Sequence, residues 1–480
     1  MNRFCFKKSW AIFLFAIAAT IFSFAKSTLF LPLYAQHIDS QVYIHTAQEV
    51  LNGKVLYKDV FDHKGPAMYV FECLGYWLHA YNLNGIWLVQ LISLLIGLLP
   101  LLFYLQRRGG VVLAMSSLLV FLSWIYRFNR IGDNIPEVYS LGLVSLYFYL
   151  LLTIIDNQFI AKKYQLIGIG MLTVFLVLFK LNFAIVVIPS LIYLFIQIVK
   201  ITKNISFLIW LIVGAVACLL PFVFYFSYHH ALYEAFYAIW IFNLNYVSTQ
   251  SISFFQSIWD VFYFQIFFIS FLIALISFSV FYIKKERSFF IILIITFVSS
   301  ILVLVGLSGR GADSIHYVIP LAPVVLLLFF YAIFHIYKKF IFLWMLGAVY
   351  FFKPVVVHYF DKNVYTNSYE DLISYINLQK KEGETLCVIG NYSCLYDMTK
   401  LPSNTPYFYT YPILSNPNND IYKKFLQRNM DSKANWLALQ IQYPPLKDEK
   451  ELLKNYELVK KFASINLYHL NPNNTFNSSQ

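Results

Sequence analysis

The chain alternates long apolar runs with short polar breaks, and the runs are too long for the core of a soluble domain. Eleven of them read as membrane-crossing helices: 10–33, 84–105, 110–126, 136–155, 164–179, 181–199, 205–227, 259–283, 288–307, 317–337 and 340–357. A helix of about 18 or more apolar residues covers the roughly 30 Å hydrocarbon core of a bilayer. The pairs 110–126/136–155 and 164–179/181–199 are expected to form helical hairpins with short outer connections. The first run, preceded by Arg3, Lys7 and Lys8, has the outline of a signal peptide. It is too long for one, and no small-x-small cleavage site precedes the next polar segment, so it is expected to remain as a helix.

Two polar regions stand out. In residues 34–83, Val42, Ala47 and Val50 fall on one helical face between Ser40 and Asn52, and Gln41, His45, Gln48 and Glu49 fall on the other. That pattern predicts an amphipathic helix on the membrane surface, ended by Gly53 and with Asp39 at its N-terminal end. A second helix is expected from Pro66 to Tyr81, because proline suits the first helical turn. The tail from 358 onward is polar and rich in Asn and Lys. There 368–380 has helical spacing with an acid three residues after a Ser cap, whereas 385–390, 435–442 and 465–470 read as strands. The expected architecture is an all-α polytopic membrane protein of about eleven helices (1–357), with a small C-terminal extracytoplasmic α/β domain (358–480).

Composition supports this and charge orients it. Mean hydropathy is +0.63, with 48 Phe, 37 Tyr and only 12% charged residues. The net charge of +12 could suggest nucleic acid. Sorted by the spans, however, Arg3, Lys7, Lys8, Arg107, Arg108, Lys162, Lys163, Lys200, Lys203, Lys284, Lys285, Arg287, Lys338 and Lys339 share one side, opposed only by Asp156 and Glu286. Basic flanks stay cytoplasmic. The excess is therefore topological, and nucleic-acid binding is not expected. The N-terminus is placed in the cytoplasm, and loop 34–83 and the tail outside a bacterial plasma membrane. The five cysteines have no metal-type spacing; Cys387 and Cys394 read as separate buried thiols rather than a pair. No phosphate-cradling glycine loop is present.

One short stretch concentrates the ionisable groups: Asp59, Asp62, His63, Lys64, Gly65 and Pro66. Asp39 after the first span, then an amphipathic helix, "NGKVLYKD" and "DHKGPAMY", resembles the first external loop of the GT-C glycosyltransferases. The likeness is to bacterial relatives of the protein O-mannosyltransferases and of the lipid A aminoarabinose transferase, of polysaccharide-assembly type. In that superfamily an Asp follows the first span, and a Lys-x-Pro element, here Lys64-Gly65-Pro66, comes later in the loop. A second acid lies between spans three and four, where "NRIGDNIPEVYS" offers Asp133 or Glu137. "GRGADSIHYVIPLAP", with Arg310 and His316, is similar to the external Gly-Arg…His-Tyr…Pro stretch of polysaccharide-assembly members. The family's Asp-x-Asp metal motif is absent from the first loop, which leaves a divalent metal ion open and implies no other cofactor.

The resemblance implies an inverting hexosyltransferase that moves a sugar from a polyprenyl-phosphate donor to a glycan, lipid or protein acceptor outside the membrane. A carboxylate can take the acceptor hydroxyl proton: Asp39 is the candidate, with Glu137 orienting the acceptor or sharing that role. Cations facing the leaving phosphate stabilise its growing charge: Lys64 and Arg310 first, then His316 and Lys180. Gly65 is expected to let the backbone approach a bulky head group, and Pro66 to fix the next helix. Asp59, Asp62 and His63 read as loop structure. Each also has a plainer reading: Asp39 as a helix cap, Lys64 paired with Asp62 or snorkelling, Arg310 as a solvated surface arginine, Lys180 snorkelling at a turn. The rival from another class is a lipid-sugar transporter or flippase, whose ionisable groups would sit at mid-membrane in repeated halves. The sequence names neither the sugar nor the acceptor, nor an oligomeric state.

Overall fold

The computed structural model describes residues 38–78, 83–127, 134–247, 252–260, 287–306, 311–336, 369–409, 420–441 and 449–471, with isolated positions at 14, 18, 33 and 263. Among them five helical stretches are long and apolar enough to cross a membrane: Asn84–Gly109, Pro136–Asp156, Leu208–Tyr228, Arg287–Leu304 and His316–Phe334. Three shorter apolar helices, Val111–Ile125, Lys163–Phe179 and Ile188–Thr202, accompany them. The chain is a multi-pass membrane protein. The expected spans 10–33, 259–283 and 340–357 lie wholly or mainly outside the described residues.

Small residues set the helix crossings. A Cβ on Gly97 would strike the Gly142 carbonyl, and one on Gly170 would strike the Leu211 carbonyl. These glycines therefore let the Asn84–Gly109 and Pro136–Asp156 helices touch along their backbones, and likewise the Lys163–Phe179 and Leu208–Tyr228 helices. Close backbone approach is what holds helices together where lipid is as apolar as the side chains.

Two expected single spans are broken. Residues 181–199 fold as a 3₁₀ turn, Leu181–Val186, and then a helix, Ile188–Thr202, with Pro189 in its first turn. Residues 317–337 begin inside a long 3₁₀ stretch, Gly311–Leu321, that contains Pro320, and become α-helical at Ala322–Ile336. Proline has no N–H for the preceding turn, so neither run continues as one α-helix. Both breaks carry candidate residues: Lys180 precedes the first and His316 lies within the second.

Before the first described membrane helix, Asn84–Gly109, sit the Ile38–Leu51 and Pro66–Leu78 helices, as the pattern predicts. The membrane-surface expectation for the first needs correcting. Gln41 and His45, on its polar face, are 3% and 2% exposed. They are covered by the C-terminal segment: the Cys394 N–H donates to Gln41 Oε1 at 3.2 Å, and His45 Nδ1 meets Asp397 Oδ1 at 2.8 Å. The face that looks amphipathic in isolation is an interface.

The C-terminal segment carries a four-stranded sheet in the order β1-β2-β4-β3. Its strands are β1 (Leu386–Ile389), β2 (Trp436–Gln440), β3 (Tyr456–Lys461) and β4 (Ile465–Leu470). β1 and β2 are parallel, and the crossover between them includes the Cys394–Thr399 and Asp420–Ser432 helices; β3 and β4 form an antiparallel hairpin. Glu370–Gln379 is the expected helix. Residues 456–461, just before the last expected strand, are themselves a strand. Cys387 and Cys394 are buried free thiols.

Candidate active site

The acidic-basic stretch folds into a tight corner between the two loop helices. Val55 N–H donates to Asp59 Oδ2 at 2.9 Å, closing a turn in which Tyr57 has a φ of 70°. Asp59 is an exposed loop-forming residue. The chain then buries Asp62 completely. Its Oδ2 accepts the Tyr69 hydroxyl and, at 3.2 Å, the Lys64 N–H; its Oδ1 accepts the Tyr409 hydroxyl at 2.5 Å. Burial alone would raise this carboxyl. The Lys64 charge, the neighbouring His63 ring and the hydrogen bond from Tyr409 outweigh it and hold Asp62 well below its ordinary value.

Lys64 is directed by its neighbours. Its Nζ lies 3.0 Å from His63 Nε2 and 5.4 Å from the centroid of the Tyr43 ring. An ammonium can only donate, so Nε2 is the acceptor and the His63 proton sits on Nδ1, which faces Asp62 Oδ1 at 3.3 Å. Carboxylate, imidazole and ammonium thus run in sequence. The carbonyl of Lys64 accepts the Tyr57 hydroxyl at 2.6 Å.

Gly65 fixes where this corner docks. Its N–H donates to the Phe179 carbonyl at 3.1 Å, and a Cβ there would collide with the Leu178 carbonyl. The close approach that glycine permits is therefore to protein backbone, not to the head group expected from sequence. Because Phe179 precedes Lys180, this one hydrogen bond places Lys64 and Lys180 each one residue away from the same contact. Pro66 opens the next helix as expected.

Lys180 completes a second cluster. Its Nζ donates to Glu137 Oε1 at 2.6 Å and stands 3.7 Å from the Tyr317 ring centroid. Glu137, 1% exposed, lies in the first turn of the Pro136–Asp156 helix, and His316 is near enough to act on its charge. The His316 ring packs edge-on against Tyr317 at 4.5 Å.

Tyr43 joins the two clusters. It stands one turn beyond Asp39 and is 1% exposed. Burial, then the nearby charges of Asp39, Asp62 and Glu137, raises its hydroxyl well above the ordinary value, so it stays a proton donor. Of the acids Asp39, Asp62, Glu72 and Glu137, Asp39 is the one that retains partial exposure. Asp39, Asp62 and Glu137 thus all act on Tyr43, with Lys64 over its ring and Lys180 and His316 beside Glu137. Asp133 and Arg310 lie outside the described residues.

No family model and no curated protein matches the chain. Solved structures do. ArnT from Cupriavidus metallidurans bound to undecaprenyl phosphate matches with a TM-score of 0.62 at 12% identity, over 95% of this chain and 97% of that one. The archaeal oligosaccharyltransferase AglB from Archaeoglobus fulgidus, in complex with an inhibitory peptide and a dolichol-phosphate, matches with a TM-score of 0.55 at 12% identity, over 95% and 74%. The Archaeoglobus fulgidus oligosaccharyltransferase tethered with an acceptor peptide gives 0.54 at 10% identity, over 90% and 69%. The chain has the GT-C fold.

Within this GT-C fold several residues at the site escape sequence reasoning. Tyr43 could have been found, since it shares a helical face with Asp39. Tyr69 and Tyr409 are two among 37 tyrosines, and neither carries a local signal. Glu72, fully buried inside the GT-C loop helix, accepts from Asn134 Nδ2 and from the Tyr139 hydroxyl, each at 2.9 Å. Among the described residues no three His, Cys, Asp or Glu side chains form a metal-holding group.

Proposed function

We propose that this protein is an integral-membrane glycosyltransferase that moves a sugar from a polyprenyl-phosphate sugar to an acceptor on the outer side of the membrane, in surface polysaccharide or glycolipid assembly. The observation that carries the reading is a buried tyrosine, Tyr43, in a GT-C fold, acted on by the partly exposed Asp39 and by Glu137, with Lys64 over its ring and Lys180 paired to Glu137. The lipid phosphates bound in the matching structures, undecaprenyl phosphate and dolichol-phosphate, supply the donor class. In this reading residues 1–357 are the membrane part, and 34–83 and 358–480 face outward.

The reaction is a single displacement. The acceptor hydroxyl gives its proton to Asp39 as its oxygen attacks the anomeric carbon. The bond from that carbon to the phosphate oxygen breaks on the opposite face, so the configuration inverts and the phosphate leaves with the electron pair. Asp62 and Glu137 are poorly suited as the base. Asp62 has its oxygens filled by Tyr69, Tyr409 and the Lys64 N–H, and Glu137 is buried against Lys180. Lys64, steered by His63, faces the departing phosphate, with Lys180 and Arg310 as further cations. Glu137 orients the acceptor and keeps Lys180 in place.

The test supplies the protein, in membranes, with labelled polyprenyl-phosphate sugars and measures release of polyprenyl phosphate. Asp39→Asn keeps shape and removes basicity, so release should fall by about 10²-fold or more while the protein still folds. Release at the wild-type rate by Asp39→Asn reduces Asp39 to a helix cap. Passage of the donor across the membrane without release makes the protein a transporter.

A further inference from the structure

The Pro66–Leu78 helix begins at the Lys64 corner, and the Pro136–Asp156 helix begins at Glu137. Between these two starts lies a buried set of hydrogen bonds, in which Gln90 also bonds Tyr139. Glu72 is 0% exposed. Its Oε2 accepts Asn134 Nδ2 at 2.9 Å, and its Oε1 meets the Tyr139 hydroxyl at 2.9 Å. Asn134 Oδ1 in turn accepts Gln90 Nε2 at 3.2 Å and lies 3.2 Å from the Tyr139 hydroxyl. Asn134 and Tyr139 bracket Glu137 in sequence. The partners are amides and a phenol, with no cation among them. Cys73, next on the same helix, turns its thiol to the Ala47 carbonyl at 3.7 Å.

We propose that Glu72 is a positioning residue which, in its protonated form, braces the start of the Glu137 helix against the helix that follows Lys64, and so sets the spacing of the two clusters. Proton counting supports the neutral form. With Glu72 ionised, the Tyr139 hydroxyl donates to Glu72 and leaves its contact with Asn134 Oδ1 without a proton. With a proton on Oε1, Glu72 donates to the Tyr139 oxygen, Tyr139 turns its own proton to Asn134 Oδ1, and the set gains one hydrogen bond. No heavy atom moves. Burial acts in the same direction, raising Glu72 to about 7 against the hydrogen bonds from Asn134 and Tyr139.

The inference rests on the glycosyltransferase reading for its kinetic arm and on none for its stability arm. Glu72→Gln imitates the neutral acid, giving N–H to Tyr139 and oxygen to Asn134; Glu72→Ala breaks the brace. Transfer is measured with a polyprenyl-phosphate sugar donor from about pH 6 to 8, together with thermal unfolding in detergent. Glu72→Gln should keep turnover within about threefold, and Glu72→Ala should lower kcat by about 10-fold or more with donor KM nearly unchanged, as expected for a misplaced group. A carboxyl raised in the folded state contributes stability at low pH and loses it as pH rises through about 7. Wild type should therefore lose melting temperature between those pH values, and Glu72→Gln should not. The proposal is overturned by a Gln variant as slow as Ala, by an Ala variant as fast as wild type, or by an unchanged pH slope in Glu72→Gln. If wild type transfers from no donor, the function reading fails while the melting arm still decides Glu72.

Discussion

Asp62 and Glu72 are both 0% exposed and stand on either side of the same corner, yet they are driven in opposite directions. Asp62 is held well below the ordinary carboxylate value and Glu72 is raised to about 7. Burial acts upward on each. What differs is the company: Asp62 faces His63, Lys64 and two tyrosine hydroxyls, whereas Glu72 faces one amide and one hydroxyl. The protein therefore gathers cations on one side of the corner and excludes them from the other. A buried charge needs paired partners, and a buried acid without them keeps its proton. In the proposed reading, cations beside a carboxylate that already has its hydrogen bonds are placed for a second anion. That is the feature a phosphate-leaving reaction requires.

The strongest way to break this contrast is to remove the cation. Lys64→Ala takes from Asp62 its principal opposing charge and, in the proposed reaction, from the leaving phosphate its first cation. Turnover should fall on the order of 10²-fold, the scale of losing one electrostatic stabiliser. Lys64→Arg should recover part of it, because the charge survives but the compact ammonium that fits His63 Nε2 does not. Arg310→Ala should match Lys64→Ala, and the double variant should be scarcely worse than either, since both would serve one charge. Steady-state release of polyprenyl phosphate by the three variants decides it. Wild-type turnover in a correctly inserted Lys64→Ala variant would leave the cluster as loop structure alone.

The two sides also differ in how much the sequence shows. The Asp62 side is a local cluster, so six neighbouring residues announce it and the loop motif places it in a GT-C frame. The Glu72 side is silent, because its partners Asn134 and Tyr139 are 62 and 67 residues away. A lone acid in an apolar helix carries no periodic signal. Most described spans were legible for the converse reason: apolar runs such as 84–105 and 136–155 record burial and lipid contact directly. The breaks at Pro189 and Pro320 were not, since hydropathy continues across them while hydrogen bonding cannot. The docking of the tail was hidden for a third reason. Gln41 and His45 look like a solvated face until Cys394 and Asp397, 353 and 352 residues on, cover them.

That docking ties the C-terminal segment to the Asp62 side, and cutting it should weaken that side first. His45 and Asp397 meet at 2.8 Å with 2% and 8% exposure, and Tyr396 stacks on the imidazole at 5.1 Å. His45→Leu leaves the Asp397 carboxylate buried without its partner, which should cost about 3–5 kcal/mol. His45→Leu/Asp397→Leu, apolar on both sides, should recover most of it. Protease sensitivity after residue 369 should rise in the single variant and return towards wild type in the double one. Equal sensitivity in all three would mean that the seam is held elsewhere.

The smallest expected effect is the most specific. Tyr409 is the direct link from the C-terminal segment to Asp62, and burial, followed by the Asp62 charge, raises its hydroxyl well above the ordinary value, so it always donates. Tyr409→Phe keeps the ring against Phe408, 5.0 Å away, and removes that one bond. A lost hydrogen bond to a charged group costs about 1.5–3 kcal/mol. The sign with pH follows from Asp62. A carboxyl depressed in the folded state contributes stability above its unfolded value and loses it as pH falls through the folded one. Without the Tyr409 donor Asp62 moves back towards its unfolded value, so the variant should lose less stability in acid than wild type and finish losing it at a higher pH. The gap between them should narrow in acid, once Asp62 is protonated in both. The fall in stability through about pH 7 assigned to Glu72 should be untouched, because the groups that act on Glu72 are Asn134 and Tyr139 and not Tyr409. Melting curves of wild type and Tyr409→Phe across both ranges separate the two carboxyls. A change in the neutral range with none in acid would show that the two sides of the corner are one coupled network.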